Sequence, residues 1–207
     1  MAKNRNAVAL ILVTIAVAVS YLLLHLTGLS TSTLTILGSG WNAVLAGLAG
    51  YFLLKKLFTN QFKHFSIKTS LWGAPLTLVV GLGFGLIYTT LFGRITQNSI
   101  ESTFQPLILL TQVPLMIMGE EIISTNILLA LKKIGLSFTV ASILVSILFA
   151  FWHVTVYGLH PLQLLFTLAP VRFLLNYLWH KSDSIWVSWL CHYLYDAVTL
   201  LLPLLGR

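Results

Sequence analysis

The chain has 207 residues, 57% of them hydrophobic and 8% charged, and its mean hydropathy is +0.92. This composition excludes an ordinary soluble globular domain. The formal net charge of +7 is accounted for by basic loops facing anionic lipid and does not require a nucleic-acid partner, while the single cysteine, Cys191, excludes an internal disulfide.

Seven stretches are long and apolar enough, or nearly so, to cross a bilayer, which takes roughly 20 residues as a helix. They run over about 7–27, 34–54, 71–93, 106–131, 136–158, 161–180 and 184–205. Because the connections are short, we predict one all-α, polytopic integral-membrane domain over residues 1–207. Lys3 and Arg5 precede the first stretch as in a signal peptide, but its apolar core is too long, so we expect a retained helix.

Lysine and arginine are distributed unequally between the two sets of loops. One side carries nine, namely Lys3, Arg5, Lys55, Lys56, Lys63, Lys68, Lys132, Lys133 and Lys181. The other side carries only Arg94 and Arg207. Since cytoplasmic loops are enriched in basic residues, this bias predicts a multi-pass protein of the cell membrane, with its N-terminus in the cytoplasm and its C-terminus outside.

Two adjacent carboxylates interrupt the fourth apolar stretch. The segment "MGEEIISTNILLAL" (118–131) contains Glu120 and Glu121, although the whole chain has only five acidic residues. Ionisable residues at membrane depth are costly and mark functional sites. Because neighbouring helical residues point about 100° apart, we expect one glutamate to serve the site and the other to be held by a supporting partner.

Further ionisable residues lie in the later apolar stretches. His153 ends "FAFWH" (149–153), Arg172 lies in the sixth stretch, and His192 and Asp196 share one helix face in "CHYLYD" (191–196). A carboxylate in a membrane cavity can act as a general base. Two histidines can either bind a metal or polarise a water and stabilise an oxyanion. These residues are the components of a hydrolase that works inside the membrane.

Three other polar residues in apolar stretches have a simpler interpretation. We interpret His25, Asn42 and Asn176 as residues that hydrogen-bond one helix to another. They are not candidates for the reaction site.

The order of these motifs resembles a known family. Glu-Glu, then Phe-x-x-x-His, then His-x-x-x-Asp on successive apolar stretches is similar to the CPBP intramembrane proteases, which include type II CAAX prenyl endopeptidases and bacterial abortive-infection and bacteriocin-immunity proteins. The resemblance covers about 105–200, including "HKSDSIWVSWLCHYLYD" (180–196). It implies an endopeptidase that hydrolyses a peptide or protein delivered at the lipid bilayer.

The resemblance also implies roles for individual residues. Glu120 would activate the water, assisted by His153, and Glu121 would support the site. His192 and Asp196 would occupy the positions that stabilise the oxyanion. The family's chemistry is either glutamate-dependent or metal-dependent. In the second case a divalent metal such as zinc would be held by Glu120, His153 and His192, although no His-Glu-x-x-His helix is present.

Two positions depart from the family pattern. The family's first motif usually has an arginine where this chain has Thr125, and Asp196 stands at a position more often occupied by Asn. The missing arginine favours an alternative, a non-catalytic immunity or binding protein of the same fold. A second alternative is an ion-coupled transporter in which Glu120, Glu121 and Arg172 carry protons.

The arginine of the sixth stretch offers a way to compensate for Thr125. A buried arginine requires a partner, so we predict that Arg172 pairs with Glu121; the alternative is that it extends toward the membrane interface. Depth raises a separate question. At 1.5 Å per residue along straight helices, His153 lies about 10 Å deeper than His192, a gap that helix tilt would have to close.

Overall fold

The structure, a computed structural model, describes residues 2–24, 27–96 and 106–205. Within these ranges the regular elements are eleven helices. They are α1 (Ala2–Leu23), α2 (Thr31–Leu54), α3 (Lys56–Asn60), α4 (Ile67–Phe92), α5 (Pro106–Thr111), α6 (Val113–Lys133), α7 (Phe138–Trp152), α8 (Val154–Tyr157), α9 (Pro161–Thr167), α10 (Ala169–Ser182) and α11 (Ile185–Leu205).

Seven helical segments of the described chain are long and apolar enough to cross a membrane. Five of these segments are single helices, namely α1, α2, α4, α6 and α11. The other two are the fifth and sixth segments in chain order, which consist of α7 with α8 and of α9 with α10. The predicted all-α, polytopic fold with about seven spans is therefore confirmed. The cytoplasmic location of the N-terminus stays a prediction from the charge bias.

Local sequence signals set the helix ends. Ser30, Ser66 and Ser137 each precede a helix, and their hydroxyl oxygens accept hydrogen bonds from backbone N–H groups three residues later, at 3.3, 3.2 and 3.3 Å. Gly158 ends α8 with φ +78°, a left-handed conformation that glycine adopts without steric cost. The fifth and sixth spans thus meet at a sharp turn, and each span is itself broken.

Helix α6 lies at the centre of the bundle. In its membrane-spanning window 67% of the residues are buried, against 11% for α4, and it packs against α1, α2, α7 and α11. A Cβ atom on Gly119 would come within 2.8 Å of the Asn42 Cβ and 2.9 Å of the Ala43 backbone nitrogen. Only glycine allows this close approach of α6 to α2, and it places Glu120 and Glu121 deep among the other helices.

Candidate active site

Glu120 projects from α6 into the cleft between α7 and α11. Its side chain is 21% exposed. One carboxylate oxygen, Oε1, lies 4.0 Å from Nε2 of His153, and the other, Oε2, lies 3.8 Å from Nε2 of His192. These separations are too long for direct hydrogen bonds. Each separation is one that a single bridging water would span with two hydrogen bonds of about 2.8 Å.

His153 is positioned by the break in the fifth span. It is the residue at which α7 ends, with φ −81° and ψ 5°. Its Nδ1 lies 2.9 Å from the carbonyl oxygen of Phe149, which can only accept a hydrogen bond, so Nδ1 carries the proton. In the neutral ring Nε2 is then an acceptor, and this is the atom that faces Glu120. The Phe149 ring packs 4.5 Å from the imidazole, centroid to centroid.

His192 on α11 lies between the two glutamates. Its Nδ1 is 2.9 Å from Oε1 of Glu121, a hydrogen bond in which the ring donates and the carboxylate accepts. Its Nε2 faces Oε2 of Glu120 and also lies 3.8 Å from Oδ1 of Asp196, one turn further along α11. Because Nδ1 is bonded to Glu121, His192 can donate a second hydrogen bond through Nε2 only as the imidazolium cation.

Glu121 is fully buried and is paired with Arg172. Nη1 of the arginine donates to Oε1 at 2.6 Å and Nη2 donates to Oε2 at 2.9 Å, and both side chains have zero exposure. The pair is bidentate, the strongest geometry for a guanidinium and a carboxylate. The predicted pairing of Arg172 with Glu121 is confirmed, and the alternative that Arg172 extends toward the interface is wrong.

The arginine is itself anchored on its other side. Its Nε donates to Oδ1 of Asn176 at 3.1 Å, and Nδ2 of Asn176 donates to the hydroxyl of Ser142 on α7 at 3.0 Å. The guanidinium carbon also lies 5.3 Å from the centre of the Phe149 ring. A continuous polar chain therefore runs from α7 through α10 and α6 to His192 on α11.

The three residues interpreted as interhelical hydrogen-bonding groups have different outcomes. Asn176 links α10 to α7, so its interpretation is confirmed. The side-chain oxygen of Asn42 is buried and has no hydrogen-bond partner among the described residues, so this oxygen does not link two helices. His25 lies outside the described residues.

The structure brings together the residues that the sequence analysis proposed for the site. Glu120, His153, His192 and Asp196 form one cluster, and Glu121 with Arg172 supports His192 from behind. The estimate that His153 lies about 10 Å deeper than His192 assumed straight helices starting at equal depth. That assumption is wrong, because both imidazoles contact the same carboxylate.

The structure adds Ser142 and Thr14 to this region and shows the contacts of Phe149, the first residue of the Phe-x-x-x-His motif. Ser142 anchors Asn176, and Phe149 packs between His153, His192 and Arg172. Thr14 on α1 lines a cavity that reaches Glu120. A serine and a threonine in apolar helices carry no sequence signal that separates them from the many others in this chain.

A catalytic metal ion in a protein is usually held by three side chains that converge on one point. Across the described residues, no three His, Cys, Asp or Glu side chains form a group arranged to hold a metal ion. In particular, Nδ1 of His192 is already bonded to Glu121, which leaves Nε2 as its only free ligand atom. The metal-dependent alternative, a divalent ion held by Glu120, His153 and His192, stays a prediction.

Comparison with known proteins agrees with the motifs. The family described as type II CAAX prenyl endopeptidase Rce1-like matches residues 102–198, which contain the Glu120–Glu121 pair, His153, Arg172 and the His192–Asp196 pair. No curated protein and no solved structure matches the chain. Over residues 102–198, the protein thus carries the sequence pattern of an intramembrane protease family, the Rce1-like type II CAAX prenyl endopeptidases, and the resemblance predicted from its motifs is confirmed.

Proposed function

We propose that this protein is a glutamate-dependent intramembrane endopeptidase that cleaves a peptide or protein segment delivered within the cell membrane. The observation that carries the proposal is the position of Glu120. Its two carboxylate oxygens face Nε2 of His153 at 4.0 Å and Nε2 of His192 at 3.8 Å. This gives a base beside a water site and a second group beside the position that an oxyanion would occupy.

Water activation is assigned to Glu120 and His153. A water between the two donates one hydrogen bond to the carboxylate and one to Nε2, which is an acceptor because Nδ1 is bonded to the Phe149 carbonyl. As the water oxygen attacks the carbonyl carbon of the substrate, Glu120 takes its proton. Glu120 then returns that proton to the departing amine, so the products are a carboxylic acid and an amine and the residue is regenerated.

Stabilisation of the oxyanion is assigned to His192. In its cationic form Nε2 donates to the oxygen that becomes negatively charged, while Nδ1 remains bonded to Glu121. Arg172 neutralises Glu121, so Glu121 orients the imidazole without bringing an uncompensated negative charge into the site. The guanidinium that the family places at the Thr125 position is thus supplied from α10, which supports the catalytic reading over the non-catalytic immunity or binding protein.

A cleavage assay on the purified protein tests the proposal. The protein is reconstituted in liposomes with synthetic peptides that each contain one apolar segment, and new termini are identified by mass spectrometry. Glu120→Gln keeps the shape of the side chain but removes the base, so we expect the rate to fall by roughly 10²–10⁴-fold. Asp183→Asn is the matched control, because Asp183 is exposed and has φ +50°, which Asn also tolerates.

Two results would overturn the proposal. Wild-type rates in Glu120→Gln would show that this carboxylate is not the base. If a correctly folded wild-type protein cleaved none of the peptides, the non-catalytic immunity or binding protein would be the better interpretation. Proton flux measured in the same liposomes distinguishes the transporter alternative from the enzyme. A transporter would show proton flux that Glu120→Gln abolishes, and it would cleave none of the peptides.

A further inference from the structure

A pocket of about 360 Å³ lies at the end of α2 and shares no residue with the candidate active site. Its lining comes from one short segment of the chain and consists of Tyr51, Phe52, Lys55, Lys56 and Thr59. The surface of a straight helix is convex, so a continuous helix cannot form such a pocket by itself. The pocket exists because the helical backbone is broken between the end of α2 at Leu54 and the start of α3 at Lys56.

The break is made by Lys55, whose backbone has φ +53° and ψ −119°. A positive φ is unfavourable for residues other than glycine. Among the described residues that are not glycine, only Lys55 and Asp183 adopt it. Strained backbone of this kind is found where the side chain at that position has a function. Here it keeps an ammonium group in the lining of the pocket, at a position where the backbone alone would favour glycine.

Close packing holds the two helices that form the pocket together. Phe58 on α3 is buried, and a Cβ atom on Gly50 of α2 would clash with its ring. The Lys55 carbonyl also accepts hydrogen bonds from the backbone N–H groups of Phe58 and Thr59, each at 3.0 Å. The turn that shapes the pocket is thus fixed by the fold, and a ligand does not have to order it.

The charge of the pocket favours an anion. Lys55 and Lys56 are exposed, and neither ammonium group forms a hydrogen bond or an ion pair with another of the described residues. The ammonium of Lys63, in the same loop region, is instead bonded to the side-chain oxygen of Asn60 at 2.9 Å. Two neighbouring cations without partners attract a phosphate group, which lysine binds as a point charge.

The other wall of the pocket is aromatic and faces lipid. Tyr51 and Phe52 are 53% and 65% exposed, and both lie in the last turn of the membrane-spanning segment Ile36–Leu54. Their rings contact each other edge to face, with centroids 5.4 Å apart. The pocket therefore has an apolar wall inside the span and a cationic wall directly after it. This arrangement matches a ligand with an anionic headgroup and an apolar tail.

Helix packing indicates which side of the membrane the pocket faces. Gly119 on α6 lies against Asn42 on α2, and one turn or more further along both helices Asn126 donates a hydrogen bond to the Ala46 carbonyl at 2.8 Å. The two helices therefore run in the same direction, and the pocket lies at the same end of the bundle as the basic last turn of α6. The charge bias predicts that this end faces the cytoplasm, where the surface of the leaflet is negatively charged.

We propose that this pocket binds the headgroup of an anionic phospholipid of the cytoplasmic leaflet. Lys55 and Lys56 hold the phosphate, and the first part of the acyl chains lies against Tyr51 and Phe52. A soluble anion would use the lysines alone and would leave the lipid-facing rings without a role. The site does not depend on the proposed peptidase function, because the two sites have no residue in common.

Lipid photocrosslinking tests the proposal on the full chain. The protein is reconstituted in phosphatidylcholine liposomes with a trace of phosphatidylglycerol that carries a photoreactive diazirine on its acyl chain near the glycerol, and labelled residues are mapped by mass spectrometry. We expect labelling of Tyr51 or Phe52. A phosphatidylcholine probe with the same diazirine should label them at least about fivefold less, because its headgroup has no net charge. Equal labelling by the two probes would overturn the proposal, and this comparison uses the wild-type protein alone.

Variants then locate the charge that holds the lipid. Lys56→Gln should lower labelling by phosphatidylglycerol about fivefold, and Lys55→Gly/Lys56→Gln roughly 25-fold. Glycine at position 55 removes the ammonium group and suits the positive φ. The matched control is Lys68→Gln, at an exposed lysine in the first turn of α4 that does not line the pocket. It should keep labelling within about twofold of the wild type. A loss in Lys68→Gln equal to that in Lys56→Gln would show a general effect of net charge and overturn the proposal.

Competitors distinguish the lipid from other anions. The phosphatidylglycerol labelling is repeated with excess inorganic phosphate, with excess polyglutamate and with potassium chloride at the same ionic strength, which accounts for screening. We expect phosphate and polyglutamate to lower labelling no more than potassium chloride does. If phosphate lowered it to the level of the double variant, the pocket would be a site for a soluble anion. If polyglutamate did so, the pocket would bind an acidic protein segment, and in either case the lipid proposal would be wrong.

Discussion

Arg172 and Glu121 form a bidentate ion pair between α10 and α6, with nitrogen–oxygen distances of 2.6 and 2.9 Å and no solvent exposure on either side chain. The pair lies behind His192, whose Nδ1 shares an oxygen of Glu121 with the arginine. It therefore fixes the orientation of an imidazole in the candidate site and also joins two membrane-spanning segments.

The first prediction concerns the stability of this pair. Breaking a buried ion pair leaves an uncompensated charge and typically costs about 3–5 kcal/mol. We expect Arg172→Met and Glu121→Gln each to lower the free energy of unfolding in detergent by roughly that amount, with the double variant no worse than either single one. Arg94→Met, at an exposed arginine, should change it by less than about 0.5 kcal/mol. Additive losses in the double variant would show that the two residues are independent.

The second prediction concerns the position of the guanidinium. Thr125 is fully buried on α6, one turn after Glu121, and it occupies the position where the family usually has arginine. Arg172→Leu removes the present partner of Glu121 and frees space beside it. We expect Arg172→Leu/Thr125→Arg to recover at least half of the loss in thermal unfolding temperature that Arg172→Leu causes, because an i, i+4 guanidinium can reach the same carboxylate.

The measurement is a thermal unfolding curve for each variant, followed by size-exclusion chromatography. Thr125→Arg in the wild-type background is the control. It places a second cation in a full site and should destabilise the protein. If the double variant is less stable than Arg172→Leu alone, the two arginine positions are not equivalent, and Arg172 does not take the place of the family's arginine.

The sequence was sufficient to predict the spans, the glutamate pair and its histidines, and the Arg172–Glu121 contact. Long apolar runs and ionisable residues inside them are local signals that need no knowledge of packing. The arginine partner followed because few acidic residues exist at membrane depth in this chain. With only five acidic residues in the chain, few partners for Arg172 had to be considered.

Other contacts depend on packing and leave no such signal. The carbonyl of Gln61 accepts a hydrogen bond from the backbone N–H of Ile185 at 2.9 Å, and its side-chain oxygen accepts one from the indole of Trp179 at 3.0 Å. These bonds join the loop after α3 to α10 and to the first residue of α11. The sequence alone predicts that a glutamine near a basic loop is exposed to solvent, but the side chain of Gln61 is buried. The depth of His153 was misjudged for a related reason, since helix breaks and tilts are set by the assembled bundle.

The third prediction concerns metal dependence. The proposed chemistry activates water with Glu120 and His153 and does not require a Lewis acid. We therefore expect the rate of peptide cleavage to be unchanged after dialysis against EDTA, and the purified protein to contain far less than one equivalent of zinc. The readings are a cleavage rate and an elemental analysis of the same sample. A loss of rate that added zinc restores, with a bound equivalent that disappears in His153→Ala, would favour the metal-dependent reading.

The last prediction concerns Asp196, where the family more often has Asn. Oδ1 of this residue lies 3.8 Å from Nε2 of His192, beside the position proposed for the oxyanion. A negative carboxylate there opposes the developing charge, whereas an amide N–H would donate to it.

We therefore expect Asp196→Asn to keep the wild-type cleavage rate or to raise kcat up to about tenfold. Asp196→Ala should lower kcat, because it removes the carboxylate beside Nε2 of His192 and, unlike Asn, supplies no N–H group to the oxyanion. Both variants should retain wild-type thermal stability within a few degrees, since the Asp196 side chain is 32% exposed and its loss leaves no buried charge unpaired. Equal, large losses of kcat in Asp196→Asn and Asp196→Ala would mean that the negative charge itself is required. In that case Asp196 would be needed to hold His192 in its cationic form, and oxyanion stabilisation would fall to the imidazolium alone.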